Sequence, residues 1–497
     1  MEAAIARSLD RLGRVRGRLV ELAGDGLYVV GGTVRDALLD REPTDFDFAV
    51  PGSGVDFAGR FARETGGAFV PLSEPDDEAR VVLAGRTFDF VGLGAGTIDD
   101  DLRRRDFTIN ALGCLVTATG VGDLLDPTGG RQDLAARVIR PASDGALASD
   151  PLRLLRAARF ALELGMVVDD AVFEQGRKVS LRRVAGERVG AELLRVLEQP
   201  GGAGWLDRLD RLGRLAELLP GFEPVLEDPK LRGHSFRTMH KVEEICHGET
   251  FFSRFGPEYE QYFDRWGADE QVANDECRVT NETRPETREV TTDAVRNPGW
   301  PFRRALLKLA GLLHDFAKPE TRFETVGGEV HFYGHDSLGA RAAARVCHQR
   351  LRLARHQVKM VRTLVQEHMR LHLLATGPEL SDRAVRRFFR DLGEEAFGMM
   401  IICYADGWAT AGKTYHLEDA ITRMIGQKRA EDAQSRVERL VTGHDLIALG
   451  LRPGPAFKVI LRELEDLQIE GKITSREQGL EYVKTNLPGL SGSANGE

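Results

Sequence analysis

Cysteine is sparse and scattered: five residues, Cys114, Cys246, Cys277, Cys347 and Cys403, in a chain of 497, with no C-x-x-C pair among them. That spacing excludes a zinc ribbon or a dithiol redox motif and fits a reducing compartment. Long apolar runs are also missing. Nothing approaches the roughly 18 consecutive apolar residues of a membrane span, and Met1 to Ser8 lacks the apolar stretch of a secretory signal, so a cytoplasmic protein with no membrane partner is expected. Net positive charge is absent too, the formal balance being −9. A chain of that sign does not coat nucleic acid by bulk electrostatics, and any RNA partner must meet a local basic surface. No feature specifies a protein partner.

What is present is ordinary globular material, 42% hydrophobic and 29% charged, in a chain long enough for two to four cores. Residues 1 to about 25 read as an amphipathic helix, and Leu27-Tyr28-Val29-Val30 as a short buried strand running into Gly31-Gly32 and a second helix. Phe46, Phe48 and Val50 alternate with Asp45, Asp47 and Ala49, and Arg86 to Val91 alternates likewise, predicting half-buried strands. From Pro151 onward the apolar period becomes helical, as in Leu152, Leu155, Phe160. Pro220-Gly221-Phe222-Glu223-Pro224 marks a break between helical units, Asp275 to Gly299 reads as a mobile insert, and Pro488 to Glu497 as a frayed tail.

The chemistry concentrates in the first third. Gly31-Gly32, between strand and helix, can turn backbone N–H groups toward a phosphate, with Arg35 one turn further on; a plain tight connection is the alternative. Asp45 and Asp47, at i and i+2 on a strand, leave the same face and can share hard cations with triphosphate oxygens, as two-metal phosphoryl transfer requires. The alternative is a solvent-facing pair. Asp89, between Phe88 and Phe90, is a candidate third carboxylate or a solvated strand residue. Arg103-Arg104-Arg105-Asp106 offers phosphate binding from Arg105 and a ribose acceptor in Asp106, or else a charged cap balancing Asp99, Asp100 and Asp101. Arg153, Arg156 and Arg159 fan over one helix face. Asp150-Pro151 suits a helix start, and a carboxylate beside an arginine also imitates a base-pairing partner for cytosine or adenine.

Taken together these residues resemble the class II tRNA nucleotidyltransferase and bacterial poly(A) polymerase family, of the DNA polymerase beta-like superfamily. Asp126 to Leu134 with Arg140, and Glu187-Arg188-Val189-Gly190-Ala191-Glu192-Leu193, resemble its connecting and neck segments. The resemblance implies an α+β head, with a mixed sheet and flanking helices, over 1–140; a helical neck binding nucleotide and RNA over 141–222; an HD-type helical domain over 223–435, with the mobile insert near 268–299; and a helical tail over 436–497. It implies catalysis and metal binding (a two-metal Mg2+ site) by Asp45 and Asp47. Nucleotide contacts fall to Gly32, Arg35, Arg105, Asp150, Arg153, Arg156 and Arg159, while Glu187 and Arg188 brace the neck. The implied reaction adds CCA, or part of it, to tRNA from CTP and ATP, with poly(A) addition as the rival. Two departures stand out: Ser149 occupies a position where many members are acidic, and Val91 to Asp101 is shorter than the usual basic loop.

The third region resembles an HD-type domain through His240, His314-Asp315 and Asp406, with His335-Asp336 and His368 as further candidates for a dinuclear site. Imidazole and carboxylate suit Mn, Fe, Ni or Zn, and such a centre would activate water against a phosphoester. A helical bundle keeping the signature as buried hydrogen-bonded pairs is the alternative. A metal-dependent phosphohydrolase with an RNA-binding N-terminal half is therefore the rival of another class. Between Asp336 and Glu367 seven basic residues, Arg341, Arg345, Arg350, Arg352, Arg355, Lys359 and Arg362, occur without one acid, the best candidate for a tRNA-facing surface and otherwise a solvated face. Gly443 to Leu451 with Pro453-Gly454-Pro455 resembles the family's C-terminal segment.

Overall fold

The computed structural model describes residues 1–43, 45–264, 302–377, 380–434, 440–451, 454–469 and 471–486. The expected insert over 275–299 lies outside them, as does the tail beyond 486. Two N-terminal helices, α1 (Glu2–Asp10) and α2 (Arg14–Ala23), replace the single expected one. Gly13 takes φ +53° and ends the first run, because a left-handed residue cannot continue a right-handed helix.

Seven strands form one mixed sheet in the order β3-β4-β5-β2-β1-β6-β7. They are β1 (Tyr28–Val30), β2 (Asp45–Val50), β3 (Ala68–Ser73), β4 (Glu78–Leu83), β5 (Arg86–Gly92), β6 (Gly113–Val116) and β7 (Val121–Leu125). Helix α3 (Gly31–Leu38) follows β1 directly, α4 (Gly54–Thr65) follows β2, and α5 (Ile98–Arg104) follows β5. β2 and β5 run parallel, pairing Phe46 with Phe88, Asp47 with Asp89 and Phe48 with Phe90.

This register places the site. The four phenylalanines, each 1–2% exposed, stack pairwise with ring centroids 5.7 Å apart, and Phe57 and Phe61 of α4 cover them at 5.0–5.5 Å. Each buried ring contributes about 1.5–3 kcal/mol. Because strand side chains alternate, burying the phenylalanines commits Asp45, Asp47 and Asp89 to the opposite face.

Beyond the sheet the chain is mainly helical. The helix Arg153–Leu164 packs against Gly186–Glu198, and Pro229–His247 and Arg303–Leu313 pack together, as do His335–Arg345 and Arg355–Glu367. Two small additions were not visible in the apolar pattern. Val138–Ile139 pairs with Val167–Val168, and a hairpin joins Arg322–Glu324 to Val330–Phe332.

The chain divides into two compact units, residues 1–369 with 397–413, and 370–396 with 414–497. The division thus falls near residues 370 and 414 rather than at 435. The reason is local: the helices Asp382–Leu392 and Tyr415–Gln434 hold each other through Arg386 with Glu431, and Gln427 with the Asp382 carbonyl. The second unit has its own core of Val441, Leu446, Ile460, Leu464, Ile473 and Val483.

Candidate active site of the head and a histidine cluster

The turn after β1 is built around absent side chains. Gly31 has φ +66°, and a Cβ there would lie 2.5 Å from Arg105 Nη1 and 3.1 Å from Asp47 Oδ2. The Gly32 N–H donates to Asp47 Oδ2 at 2.9 Å. Thr33 Oγ1 accepts from the Asp47 N–H at 2.7 Å and donates to the Asp45 carbonyl, tying α3 to β2. Glycine turn, carboxylate strand and arginine therefore meet at one point.

Asp47 is pushed up to about 6, chiefly by burial and then by Asp89, against the pull of Arg105 and Arg35, with Asp45 adding to the rise. Crowded carboxylates that resist ionisation together are relieved by a cation, and their hard oxygens suit Mg2+. The donor set thus fits a divalent metal. Asp89 differs: Arg80, only 6% exposed, grips it with Nε and Nη2 at 2.6 Å each, so this carboxylate is already paired.

The arginines divide by what they hold. Arg105 is anchored through Nε and Nη2 on Asp101 Oδ2, at 3.0 and 2.9 Å, with Nη1 toward the glycine turn. Arg103 pairs with Asp99 on the surface, in keeping with the charged-cap reading for that residue. Arg35 donates to Asn110 Oδ1 at 2.7 Å and to Asp36. Arg35, Arg156 and Arg159 all lie over the Phe160 ring, 5.1, 5.4 and 4.2 Å from its centroid.

Asp106, expected to accept from a ribose, is instead buried and saturated. Its oxygens accept from the Phe107 N–H, Asn110 Nδ2, and Arg156 Nε and Nη2. Burial raises its pKa, but the Arg156 charge and the bonds from Asn110 and Arg156 outweigh that and hold it at about 2. With every lone-pair direction near it taken, Asp106 braces Arg156. Arg159 is likewise held, by Glu192 at 2.7 Å and Glu163 at 2.8 Å.

Asp150 stands at the helix start and holds an arginine of the neck. Oδ1 accepts from the Leu152 N–H at the helix start, and Oδ2 pairs with Arg188 Nη2 at 2.7 Å. Arg153 donates to the carbonyls of Arg104, Arg105 and Ala146, which seats it where β5's connection meets the neck. Glu192 and Asn110, given no such role by the sequence, are partners of Arg159 and Arg35, while Asp101 balances Arg105 as the charged-cap reading has it.

The second cluster lies among the helices. Nδ1 of His314, His335 and His368 each donates to a carbonyl three residues back, of Gly311, Phe332 and Val365, at 2.9, 2.6 and 2.7 Å. That commits each Nδ1 to the backbone and turns Nε2 of each ring into the cluster. His234 Nε2 lies 3.0 Å from His314 Nε2, and His335 Nε2 lies 3.3 Å from His368 Nε2. Asp315 stands between these pairs, Oδ2 toward His234 and His314 at 3.4 and 3.2 Å, Oδ1 toward His335 and His368 at 3.7 and 3.8 Å. Asp406 Oδ1 is 2.9 Å from His234 Nε2.

Neither Asp315 oxygen has a hydrogen bond of normal geometry, though Lys318 Nζ stands 2.7 Å from Oδ2. Burial disfavours a charged His314, yet Asp315 and Asp406 pull it up to about 10, while burial and the His314 charge push His368 down to about 4. His234, His314 and Asp315 on one side, and Asp315, His335 and His368 on the other, would each hold a divalent cation, which would take the place of the proton on His314.

His240 does not belong to this cluster. Its Nε2 pairs with Asp207 Oδ2 at 2.6 Å on the surface, and His234 takes the expected place. Asp336 is not among the residues grouped there, although its neighbour His335 is.

With both sites in view, comparisons define the protein. Residues 27–90 and 75–140 match the Poly A polymerase head domain, and 277–406 match the HD domain. Relatives include the CC-adding tRNA nucleotidyltransferase of Geobacter sulfurreducens, 31% identical with 94% of this chain and 93% of that protein covered. The A-adding tRNA nucleotidyltransferase of Deinococcus radiodurans is 30% identical, over 92% and 95%. The chain therefore belongs to the tRNA nucleotidyltransferase and poly(A) polymerase family, and its members are enzymes. Among solved structures, a CCA-adding enzyme with ATP shares the fold at TM-score 0.60 and 20% identity, covering 96% of both chains. A Thermotoga maritima CCA-adding enzyme complexed with tRNA does so at 0.58 and 21%, covering 96% of this chain and 95% of that one. Nucleotidyltransferase and HD domains generally use divalent metals.

Proposed function

We propose that this protein extends RNA 3′ ends, adding CCA or part of that triplet to tRNA from CTP and ATP. The observation that carries the reading is the meeting of Gly31-Gly32, Asp47 and Arg105, where a phosphate-binding turn, a metal-binding carboxylate and a guanidinium share one point. The relatives add a directional argument, since full-length ones are named for CC addition and A addition.

In this reading Gly31-Gly32 lets the triphosphate approach the backbone without a side chain between, and Arg105 and Arg35 neutralise its oxygens. Mg2+ bound by Asp45 and Asp47 supplies Lewis-acid activation of the hydroxyl and stabilisation of pyrophosphate. The terminal ribose oxygen bonds to the α-phosphorus as the bond to pyrophosphate breaks, and the hydroxyl proton leaves to solvent. Alignment and fixed charge carry the barrier, so no covalent intermediate on the protein is required. Asp150 and Arg153 read the base edge, Arg153 exchanging a backbone carbonyl for the ring.

Incubation with tRNAs ending before, within or after CCA, with CTP and ATP given separately and together, tests this by product length. Growth that stops at a defined point within or at CCA is expected. A long adenylate ladder replaces the assignment with poly(A) addition, and no incorporation in Mg2+ removes it.

The convergent imidazoles favour a second activity in the same chain, metal-dependent phosphoester hydrolysis at His234, His314, Asp315, His335, His368 and Asp406. A transition metal bound there would supply activated water. Loss of phosphatase or cyclic phosphodiesterase activity in His314→Ala, with nucleotide addition retained, is the expected result.

A further inference from the structure

The hairpin that leads into His335 exposes an aromatic face. Phe323, Val326, Val330 and Tyr333, all large, apolar and open to solvent, crowd into the hairpin formed by Arg322–Glu324 and Val330–Phe332. Exposed apolar side chains are ordinarily scattered singly, so a cluster of them points to a binding role. Three rings share one side. Phe323 stands opposite His331 in the hairpin register, and His331 stacks on Tyr333 with ring centroids 5.2 Å apart and planes 15° from parallel. Phe323 is 56% exposed and Tyr333 73%, so the ring faces are available. Because strand side chains alternate, Phe332 turns to the other side, where Lys318 Nζ lies 5.5 Å from its ring centroid.

A second observation is that this hairpin is fastened to the histidine cluster. The Phe332 carbonyl accepts from His335 Nδ1 at 2.6 Å, and Lys318, beside the Phe332 ring, stands 2.7 Å from Asp315 Oδ2. Tyr333 and His335 are two residues apart, so their Cα atoms lie within about 7 Å of one another. One nucleotide can span that separation. The charges around the rings are paired or acidic: Arg322 is 2.8 Å from Glu324, His331 is 3.6 Å from Glu329, and Glu320 is exposed nearby. Such a surface offers ring faces and does not attract a phosphate backbone.

We propose that Phe323 and the His331–Tyr333 stack form a platform for one nucleobase, seating a nucleoside phosphate so that its phosphoester meets the cluster of His314, Asp315, His335 and His368. This rests on the reading of that cluster as a phosphoester-hydrolysing centre. It adds what the histidines and carboxylates lack, a means of telling a nucleotide from any other phosphoester. Near-parallel rings with open faces suit another flat π system, and stacking tolerates every base, so the selection is for nucleotides as a class. The ligand is a base one ribose away from a phosphoester, carried by a free nucleotide or by the last residue of an RNA.

The test gives full-length protein, loaded with Mn2+, adenosine 3′- and 5′-monophosphates, a short oligoadenylate with a 3′-phosphate, and ribose 5-phosphate as the base-free counterpart. For Phe323→Ala/Tyr333→Ala the preference in kcat/KM for adenylate over ribose phosphate should fall roughly 5- to 150-fold, the worth of one stacked base, with the loss in KM. Tyr333→Phe keeps the ring and should keep the preference. His331→Ala is a second variant, expected to lower the preference by itself, and serves if the double variant does not fold. Whichever adenylate is preferred, free or at the oligonucleotide end, identifies the source, and the double variant must lower it. Photo-cross-linking with azidoadenosine 3′-monophosphate gives a readout that needs no turnover: label is expected on the peptide holding residues 322–333, displaced by adenosine 3′-monophosphate and not by ribose 5-phosphate. Label there without hydrolysis of any phosphoester upholds the platform and removes the hydrolytic reading. Hydrolysis of adenylate and ribose phosphate at equal kcat/KM, with no label on the hairpin, does the reverse. An unchanged preference in a folded double variant overturns the proposal, as does a wild-type dimer that this variant converts to monomer with labelling unchanged, which gives the face to a second copy of the chain.

Discussion

At the residue scale the head depends on a few positions where no substitute has the right shape or charge. Asp47→Asn keeps the hydrogen bond from Gly32 in size but removes the charge that would hold a cation. Nucleotide addition should fall by about 10²–10³-fold or more, the range for losing a preorganised electrostatic partner, with RNA binding retained. Product formation per enzyme in a single-turnover assay checks this.

Asp106 gives a pH signature. Its folded pKa, about 2, lies below the ordinary 3.8, so the carboxylate contributes stability that is fully present above about 4 and is lost as pH falls through 2. Arg156→Met leaves that buried carboxylate unpaired and should cost about 2–4 kcal/mol near neutrality, the lower part of the usual range because Arg156 is one-third exposed. Thermal midpoints from pH 7 to 2 should show the gap between wild type and this variant shrinking as the pH falls, since the unpaired carboxyl of the variant takes up its proton first. A gap independent of pH contradicts the pairing.

The residues also show what a reading of types and spacings can find. The convergence of Asp47, Gly32 and Arg105 was legible because strand and turn position bring them to one point. Asp106 was not, since a carboxylate after three arginines looks the same whether it faces ligand or Arg156. That choice depends on a helix 50 residues away.

At the element scale, packing decides orientation. The β2–β5 pair turns phenylalanines inward and carboxylates outward in one register, which the alternation already announced. The HD-type cluster was less legible because Pro229–His247 carries His234 and His240 six residues apart, about 240° around the helix, so the two cannot face one site. A wheel through Met239, Val242, Ile245 and Cys246, all buried, puts His240 on the far side. His234→Ala should therefore lower bound Mn2+ or Ni2+ after dialysis by at least about tenfold, and His240→Ala should leave it unchanged, by elemental analysis. The contact of the neck helix Gly186–Glu198 with the Leu351 carbonyl offers a further check. Gly190→Ala forces a Cβ into the Leu351 carbonyl and should destabilise by about 1–3 kcal/mol, read as an earlier denaturant midpoint.

At the scale of the whole molecule, one chain carries two metal-suited sites with different donors, carboxylate oxygen in the head and imidazole nitrogen among the helices. The difference predicts separable metal dependence. Chelation followed by Mg2+ should restore nucleotide addition, while phosphoester hydrolysis should require Mn2+, Ni2+ or a similar ion. Restoration of both by Mg2+ alone would merge the two sites in function. Among the described residues no helix is long and apolar enough to cross a membrane, in keeping with the lack of long apolar runs.

The sequence by itself determined the mixed-sheet head and the helical remainder, because strand and helix periods are local properties that burial reads directly. It also determined that Asp45 and Asp47 share a face, because a spacing of two does so on any strand. Only the tertiary structure decided which arginines hold protein rather than ligand, which histidine joins the cluster, and where the compact units divide. Those outcomes depend on which distant groups arrive opposite a side chain, and a pairing energy across 33 to 80 residues of chain leaves no periodic trace.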